Sequence, residues 1–182
     1  MDAQTSSQVQ ENATSKGHYH YLSLKRDPTE REFAAMRRYV RGDRSARGDI
    51  AGIIQVEQEV DNLVPTVGRT VLARRLSGDT TYTGEINYGA LGSGTTPFTN
   101  ASTQLNTEVF RKIKSDSSFD NNITYTDWFI ASGDVADQTF QEFSAVIDGT
   151  GTANSGQAFS LVVTGGWVKS GSCFISLRVT FS

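Results

Sequence analysis

Apolar and polar residues alternate along much of the chain, and this pattern predicts mainly β-structure. The alternation is clearest near the C-terminal end, at Cys173, Ile175, Leu177, Val179 and Phe181. A period of two residues is typical of a strand with one buried face. Comparable runs between turn residues predict further strands at residues 50–60, 85–91, 107–114, 122–130, 138–147 and 157–168. The run at 138–147 is irregular near Glu142, which favours a β-bulge there.

Two other segments show the spacing of a helix. Asp27 is the expected N-cap of the first, with Pro28 at the first helical position and Glu30 three residues after the cap. Its apolar face consists of Phe33, Met36 and Val40, and Gly42 is the expected stop. A second helix is predicted after Pro65, with an apolar stripe of Val67, Val71, Leu72 and Leu76 and a stop at Gly78.

These elements predict a mainly β fold: a single antiparallel β-sandwich, jelly-roll or Ig-like, with two short helices and an extended N-terminal arm. We divide the chain into a basic arm with a short helix, residues 1–49, and a sandwich domain, residues 50–182. Residues 1–17 have almost no apolar side chains. Such a segment cannot offset its ordering entropy by burial, so we expect it to become ordered against another chain. Packing on its own domain is the alternative.

Composition excludes several classes of protein. The chain has 182 residues with 17 basic and 20 acidic side chains, a net charge of −3, so a general nucleic-acid binder is not expected. The apolar runs are far shorter than the ~20 residues of a membrane-spanning helix. No secretory signal is visible, which favours synthesis in the cytoplasm. The single cysteine, Cys173, excludes an internal disulfide and is expected in the core.

Charge is distributed unevenly along the chain. Residues 16–49 contain nine basic and five acidic side chains, whereas residues 79–160 contain three basic and ten acidic ones. We expect the two segments to attract each other, within one chain or between subunits. The alternative is an ordinary solvated surface. The candidate interface residues in the basic segment are Arg37, Arg38, Arg41 and Arg44, together with the apolar Phe33 and Met36.

Motifs for catalysis or metal binding are weak. His18 and His20 lie on one side of an extended segment, but no third ligand is near in sequence, so no metal site is predicted. The glycine-rich stretch 89–94 lacks the residues of a phosphate loop and is interpreted as a turn. Residues 116–122 are interpreted as a loop whose two carboxylates are turn residues. We therefore predict no catalytic residue and no cofactor.

Aromatic residues leave a binding function open. A sugar-binding platform could be formed by Tyr82, Tyr88, Phe98, Trp128, Phe129 and Trp167. Most of these residues occupy strand positions, where a core role is expected. Phe98 lies in a loop and is the candidate for an exposed contact.

Several segments resemble small virion structural proteins of tailed bacteriophages. The resemblance rests on residues 62–76 (NLVPTVGRTVLARRL), 86–97 (INYGALGSGTTP), 103–112 (TQLNTEVFRK) and 140–143 (FQEF). It extends over about residues 60–147 and is weaker in the last two strands. The motifs are structural, and Glu108 and Arg111 are expected to hold a loop or a neighbouring subunit through a charge-assisted contact.

The resemblance implies a non-enzymatic structural protein of the virion, made in the cytoplasm of the host bacterium. Its expected partners are copies of itself in a homo-oligomer and other virion proteins, with no direct contact to nucleic acid or membrane. Position in the capsid decoration, neck or tail stays open. The alternative is a carbohydrate-binding, host-recognition module of a tail appendage.

Overall fold

Two antiparallel sheets packed against each other form the core of the protein, which confirms the expected mainly β sandwich. The computed structural model describes residues 15–181. In chain order its elements are β1 (Ser15–Leu24), α1 (Glu30–Val40), α2 (Arg47–Ile50), β2 (Ile54–Asn62), α3 (Thr66–Leu76), β3 (Ile86–Gly92), β4 (Glu108–Ile113), β5 (Asp116–Asp120), β6 (Ile123–Ile130), β7 (Gln138–Ile147), β8 (Gln157–Lys169) and β9 (Ser172–Phe181). The described residues thus include three short helices, one more than expected.

Within the described residues, the two sheets contain five and four strands and are linked by one β-bridge. The larger sheet has the order β2–β1–β9–β6–β5, and the smaller sheet has the order β4–β3–β7–β8. A bridge between Leu63 and Leu161 connects the end of β2 to β8. The register of β7 and β8 shifts between Phe140 and Glu142, which confirms the predicted bulge.

Aromatic rings fill the space between the sheets. Trp128, Trp167 and Phe143 are fully buried there. The Phe143 ring makes edge contacts with Tyr19 at 5.0 Å and Trp128 at 5.2 Å between ring centroids, which is a favourable geometry for aromatic pairs. Cys173 lies in the same core, and burial raises the pKa of its thiol to about 12. This confirms the expectation that Cys173 is a core residue.

A second apolar cluster lies outside the larger sheet, under α1. Met36 and Tyr39 of the helix pack there with Leu22 of β1 and Phe174 of β9. Strand β9 is therefore buried on both faces along part of its length. The alternation of apolar and polar residues in β9 is interrupted at Phe174. An apolar side chain is favourable there because α1 covers this part of the outer face.

The N-terminus of α1 differs from the prediction by two residues. The N-cap is Thr29, whose hydroxyl accepts a hydrogen bond from the Glu32 backbone N–H, while the Glu32 carboxylate accepts one from the Thr29 backbone N–H. This reciprocal pair is a capping box. The Asp27 carboxylate is bound elsewhere, because Ser132 donates to it from its backbone N–H at 2.9 Å and from its hydroxyl. The helix ends before Gly42, whose φ of 106° allows the expected stop.

Strand β1 lies where the sequence predicted an arm. It is paired with β2 on one side and β9 on the other, so the sandwich begins before residue 50. The first half of the strand looks polar in sequence because His18 and His20 face the outer side of the sheet, but the alternating Tyr19 and Tyr21 are fully buried. Their hydroxyls bond to Ser160 and to the Val168 carbonyl, which reduces the cost of burial. Residues 1–14 of the predicted arm lie outside the described residues.

Two polar or glycine-rich segments also adopt strand structure. Asp116–Asp120 was predicted to be a loop but is β5, at the edge of the larger sheet, where polar side chains are tolerated on a strand. The glycine stretch was interpreted as a turn, yet β3 continues to Gly92. A Cβ at Gly89 would lie 2.7 Å from Phe143 Cζ, and one at Gly92 would lie 2.3 Å from a Glu142 carboxylate oxygen. Close packing against β7 therefore requires glycine at both positions.

Candidate functional site

Two arginines of the predicted interface contact acidic residues of the same chain. The Arg41 guanidinium lies 3.1 Å from Asp127 Oδ2 and 3.3 Å from Asp116 Oδ2, and Arg37 Nε lies 3.6 and 3.5 Å from the same two atoms. These pairs join α1 to β5 and β6. The predicted attraction between the basic and acidic segments is therefore formed within one chain at these four residues.

Asp127 is the buried centre of this network. Its side chain is fully buried, and Ser176 Oγ donates to Oδ1 at 2.7 Å. Burial raises the pKa of Asp127 above its ordinary value, because the loss of water disfavours the charged form. The hydrogen bond from Ser176 and the charges of Arg41 and Arg37 oppose that rise. The network therefore holds α1 to the sheet through a buried carboxylate whose charged form is stabilised by Arg37, Arg41 and Ser176.

The other candidates on and after α1 are used differently. Arg38 is exposed and pairs with Asp43 at 2.6 Å, which closes the turn after the helix. Arg44 is exposed, and its guanidinium donates to the Tyr39 hydroxyl at 3.3 Å. Met36 is fully buried in the cluster under α1. Apart from Arg38 and Arg44, the predicted interface on α1 mainly holds the helix to its own sheet.

Phe33 contributes to this internal packing. Its ring makes edge contacts with Phe129 at 5.4 Å and Phe174 at 5.5 Å between ring centroids. The Arg37 guanidinium covers the ring at 4.6 Å from its centroid, a cation–π arrangement. Phe33 is half-buried, and the contacts described for its ring are all with residues of its own chain.

Glu108 and Arg111 hold a loop of their own chain. They form a nearly buried pair with Arg111 Nε 2.6 Å from Glu108 Oε1. Arg111 also donates to the Thr150 carbonyl and the Ser155 hydroxyl, and Glu108 accepts from the Asn154 backbone N–H. The sequence left open whether this pair holds a loop or a neighbouring subunit. In the described residues it holds the loop at 150–155.

The aromatic residues do not form a flat exposed platform in the described part of the chain. Trp128 and Trp167 are fully buried between the sheets. Phe98 is half-buried and packs on a small cluster that includes Leu105 and Leu161, so it also supports its own loop.

A polar groove lies beside the end of α1, on the outer face of the larger sheet. Its volume is about 720 Å³. It is lined by Tyr125, Ser176 and Arg178 of β6 and β9 and by Arg41 and Arg44 after α1. Arginines on one side and His18, His20 and Glu59 on the other give the groove both signs of charge. It can therefore accept a small polar or ionic ligand.

Histidines and carboxylates form a ladder at one side of the groove. His20 pairs with Glu59 across β1 and β2, and His18 pairs with Asp61. His20 Nε2 lies 2.7 Å from Glu57 Oε1, and His18 Nε2 lies 3.2 Å from Glu59 Oε2. His20, Glu57 and Glu59 each have a potential ligand atom, an imidazole nitrogen or a carboxylate oxygen, and these three atoms lie within 4.8 Å of one another. These three residues could hold a metal ion.

Glu57 is held in place from several sides. Burial disfavours its ionised form, but the Tyr39 hydroxyl donates to Oε1 at 2.7 Å, His20 bonds to the same oxygen, and Arg47 lies 3.3 Å from Oε2. Together these contacts lower the pKa of Glu57 below its ordinary value. The carboxylate is therefore charged and oriented at neutral pH.

An apolar cleft opens at one end of the sandwich, between the sheets. It has a volume of about 200 Å³, and its apolar lining comprises Leu72, Ile86, Phe159 and Phe181. Phe119 of β5 is 80% exposed and pairs with Thr124, which also lines the cleft. Because residues paired across strands share a face, Phe119 lies on the same face of the sheet as Thr124. We call this feature, with Phe119, the apolar mouth.

Comparison with protein-family models, with curated proteins and with solved structures finds no match to this chain. Within residues 15–181, none of the helices combines the length and apolar character needed to cross a membrane.

Sequence reasoning missed the acidic half of these sites. Asp116 and Asp127 were not recognised as partners of α1, because the pairing depends on how β5 and β6 pass beneath the helix. Glu57 and Glu59 have a usable signal, since both lie on the polar face of an alternating strand. The missing information was the register of β1 against β2, which brings that face beside the two histidines.

Proposed function

We propose that this protein is a non-enzymatic structural subunit of a tailed-phage virion that assembles with copies of itself and with other virion proteins. The observation that carries this proposal is the apolar mouth. Phe119 is 80% exposed and Phe181 is 41% exposed at the same end of the larger sheet. Exposed phenylalanines beside an apolar cleft at the end of a sheet favour a protein–protein contact at this place.

The form of the mouth favours a second copy of the chain as its occupant. β5 is an edge strand of five residues, so its outer backbone groups are open to pairing. A symmetric pair would place the same edge and the same Phe119 on both partners. Burial of two phenylalanine rings on each side supplies apolar area without requiring a charged contact.

The cis pairing of charges supports apolar assembly over charge-driven assembly. Arg37 and Arg41 already bind Asp127 and Asp116 of their own chain. Part of the charge and hydrogen-bonding capacity of these two arginines is therefore already used within the chain. The location in a virion rests on the resemblance of residues 60–147, and the proposed arm would add contacts through residues outside the described range.

Oligomeric mass tests the proposal. Wild-type protein and the Phe119→Ser variant are compared by light scattering and sedimentation between 1 and ~200 μM. We expect wild type to associate and the variant to dissociate at least tenfold more readily, since buried aromatic residues dominate many interfaces. Val168→Ser, at a 42% exposed position on β8, is the matched control and should associate like wild type.

Salt dependence and particle composition complete the test. Apolar association should persist between 0.1 and 1 M salt, where the Debye length falls from about 10 to 3 Å. Association that disappears in salt would instead favour contacts between charged segments. Purified phage particles should contain the chain, as measured by mass spectrometry, and should lose it with Phe119→Ser. A monomeric wild type that is absent from particles would contradict the proposal.

A further inference from the structure

We propose that His20, Glu57 and Glu59 form a binding site for a divalent transition-metal ion of the zinc type. The register of β1 and β2 makes this possible, because His20 lies opposite Glu59 and Leu22 lies opposite Glu57. Residues paired in this way, and residues two apart on one strand, share a face of the sheet. One imidazole and two carboxylates therefore converge on the outer face.

The distances suit coordination after a small movement. His20 Nε2 lies 2.7 Å from Glu57 Oε1, and His20 Nδ1 lies 3.6 Å from Glu59 Oε1. The chosen ligand atoms of all three residues lie within 4.8 Å of one another. Zinc binds nitrogen and oxygen ligands at about 2.0–2.2 Å, so two ligands on one ion are normally separated by about 3–4 Å. Because one ion takes a single ring nitrogen of His20, binding at Nε2 requires the exposed Glu59 side chain to turn from Nδ1 toward Nε2 and the separation of His20 from Glu57 to lengthen by several tenths of an ångström.

Surrounding residues orient the proposed ligands. The Tyr39 hydroxyl donates to Glu57 Oε1, and Arg47 lies beside Glu57 Oε2. The Tyr39 ring also makes an edge contact with the His20 ring, at 5.4 Å between centroids. Hydrogen bonds of this kind to a ligating carboxylate commonly fix its direction at metal sites. His18 bonds to the other oxygen of Glu59 at 3.2 Å, a contact that is released when Glu59 turns toward the ion.

Access and ligand chemistry favour a transition metal. The His20 side chain is 8% exposed, whereas that of Glu59 is 43% exposed and lies at the polar groove, from which a hydrated ion can enter. An imidazole with two carboxylates is typical of Zn²⁺ and similar ions, whereas Ca²⁺ and Mg²⁺ prefer sites made only of oxygen. The chain has one other histidine, His18, and its one cysteine is buried between the sheets. Binding can therefore be assigned with few variants.

Calorimetric titration with ZnCl₂ tests the site. Tag-free protein, first treated with chelator, is titrated at pH 7.5, and the melting temperature is measured with and without Zn²⁺. We expect one ion per chain, a raised melting temperature, and weaker binding at pH 5.5, because protons compete for the ligands. Glu59→Gln should weaken binding at least tenfold without unfolding the protein, because Glu59 is exposed. Asp120→Asn, another carboxylate of the groove, is the matched control and should bind like wild type.

Further variants separate His20 from its neighbour. His20→Gln should abolish binding, and His18→Gln should weaken it less; circular dichroism establishes that each variant is folded. A larger loss with His18→Gln than with His20→Gln would overturn the assignment. So would the absence of binding at 1 mM Zn²⁺, equal binding by Glu59→Gln and wild type, or a preference for Ca²⁺ over Zn²⁺.

Discussion

Asp127 and Glu142 are both completely buried carboxylates, but they stabilise different kinds of structure. Asp127, on β6 of the larger sheet, is bound by the side chains of Arg37, Arg41 and Ser176. Glu142, on β7 of the smaller sheet, accepts hydrogen bonds from the backbone N–H groups of Gly94, Asn106 and Thr107 and from the Asn106 side-chain amide. Asp127 holds a helix, and Glu142 shapes the long loop between β3 and β4.

The difference shows that partner type decides what a buried charge can organise. A side-chain cation can reach a buried carboxylate from a different element of the fold. Arg37 and Arg41 reach Asp127 from α1 and its C-terminal end, so Asp127 fixes the position of the whole helix. Backbone N–H groups have fixed spacing along the chain, so Glu142 selects one loop conformation. A second acidic residue, Asp116, shares the arginines of Asp127. Around Glu142, three backbone N–H groups bond to that carboxylate, and the Asn106 side-chain amide bonds both to it and to the Thr96 carbonyl. The two sites should therefore respond differently to substitution.

The largest effect is expected at Glu142. Replacement by alanine removes a buried carboxylate that accepts from four N–H donors, three of which belong to the exposed loop residues Asn106 and Thr107. Since a hydrogen bond to a charged group contributes about 1.5–3 kcal/mol, and several are lost together, we expect the free energy of unfolding to fall by about 3 kcal/mol. Urea denaturation measures the change. Gln141→Ala, at the half-buried neighbour, is the control and should change stability by no more than about 1 kcal/mol.

A small effect of Glu142→Ala would break the comparison, because the loop would then be held by its apolar contacts. Leu105 and Phe98 pack on the cluster beneath it. In that case Leu105→Ala should be the more destabilising of the two variants.

A smaller effect is expected at Asp127. Asp127→Asn keeps an acceptor for Ser176 and leaves Asp116 beside both arginines, so a loss of about 1–3 kcal/mol at pH 7 is expected. Burial raises the pKa of Asp127, so the folded state binds this proton more tightly than the unfolded state does. As the pH falls from 7 toward 4, wild type should therefore gain stability relative to the variant. Urea denaturation of both proteins at several pH values measures the difference.

An opposite pH trend would show that the arginines control the Asp127 site more strongly than burial does. If wild type lost stability relative to Asp127→Asn as the pH fell, the carboxyl would have a lowered pKa. Arg41→Gln in both backgrounds would then reduce that loss.

The smallest effect is expected at Glu32, which has both types of partner but is only partly buried. Arg26 and the Thr29 backbone N–H bond to its carboxylate and lower its pKa to about 2. Its stabilising contribution is therefore present above the ordinary pKa of about 4.3 and is lost as the pH falls toward 2. Glutamine can keep the capping contact. We expect Glu32→Gln to lower the melting temperature slightly at pH 7 and not at pH 2.

Scanning calorimetry at both pH values measures that difference. Glu30→Gln, an exposed acidic residue in the same helical turn, is the control and should show the smaller pH-dependent difference. A large effect of Glu32→Gln would indicate that partner type matters more than burial.

The sequence predicts the strands with long apolar runs, such as β7, β8 and β9, because the local pattern of apolar residues is enough to indicate a buried strand. It fails for β1 and β5, whose polar residues lie against arginines or in the groove. Their strand structure depends on neighbours that are distant in the chain. Glu108 and Arg111 were recognisable as contact residues because they lie in one short motif of the resemblance. Asp127 and Arg41 were not recognisable as a pair, since only the folded topology brings them together.

The pairing of β1 with β9 has a consequence for how the chain folds. These are the first and last described strands, and they pair from Ser15 opposite Phe181 to Leu24 opposite Ser172. Contacts between such distant segments carry a high loop-closure cost and are associated with slow folding. During synthesis, β1 must wait for β9 to leave the ribosome before the centre of the larger sheet can close. Tyr19 and Tyr21 would remain accessible in the nascent chain until then, and chaperones could recognise this segment during that interval.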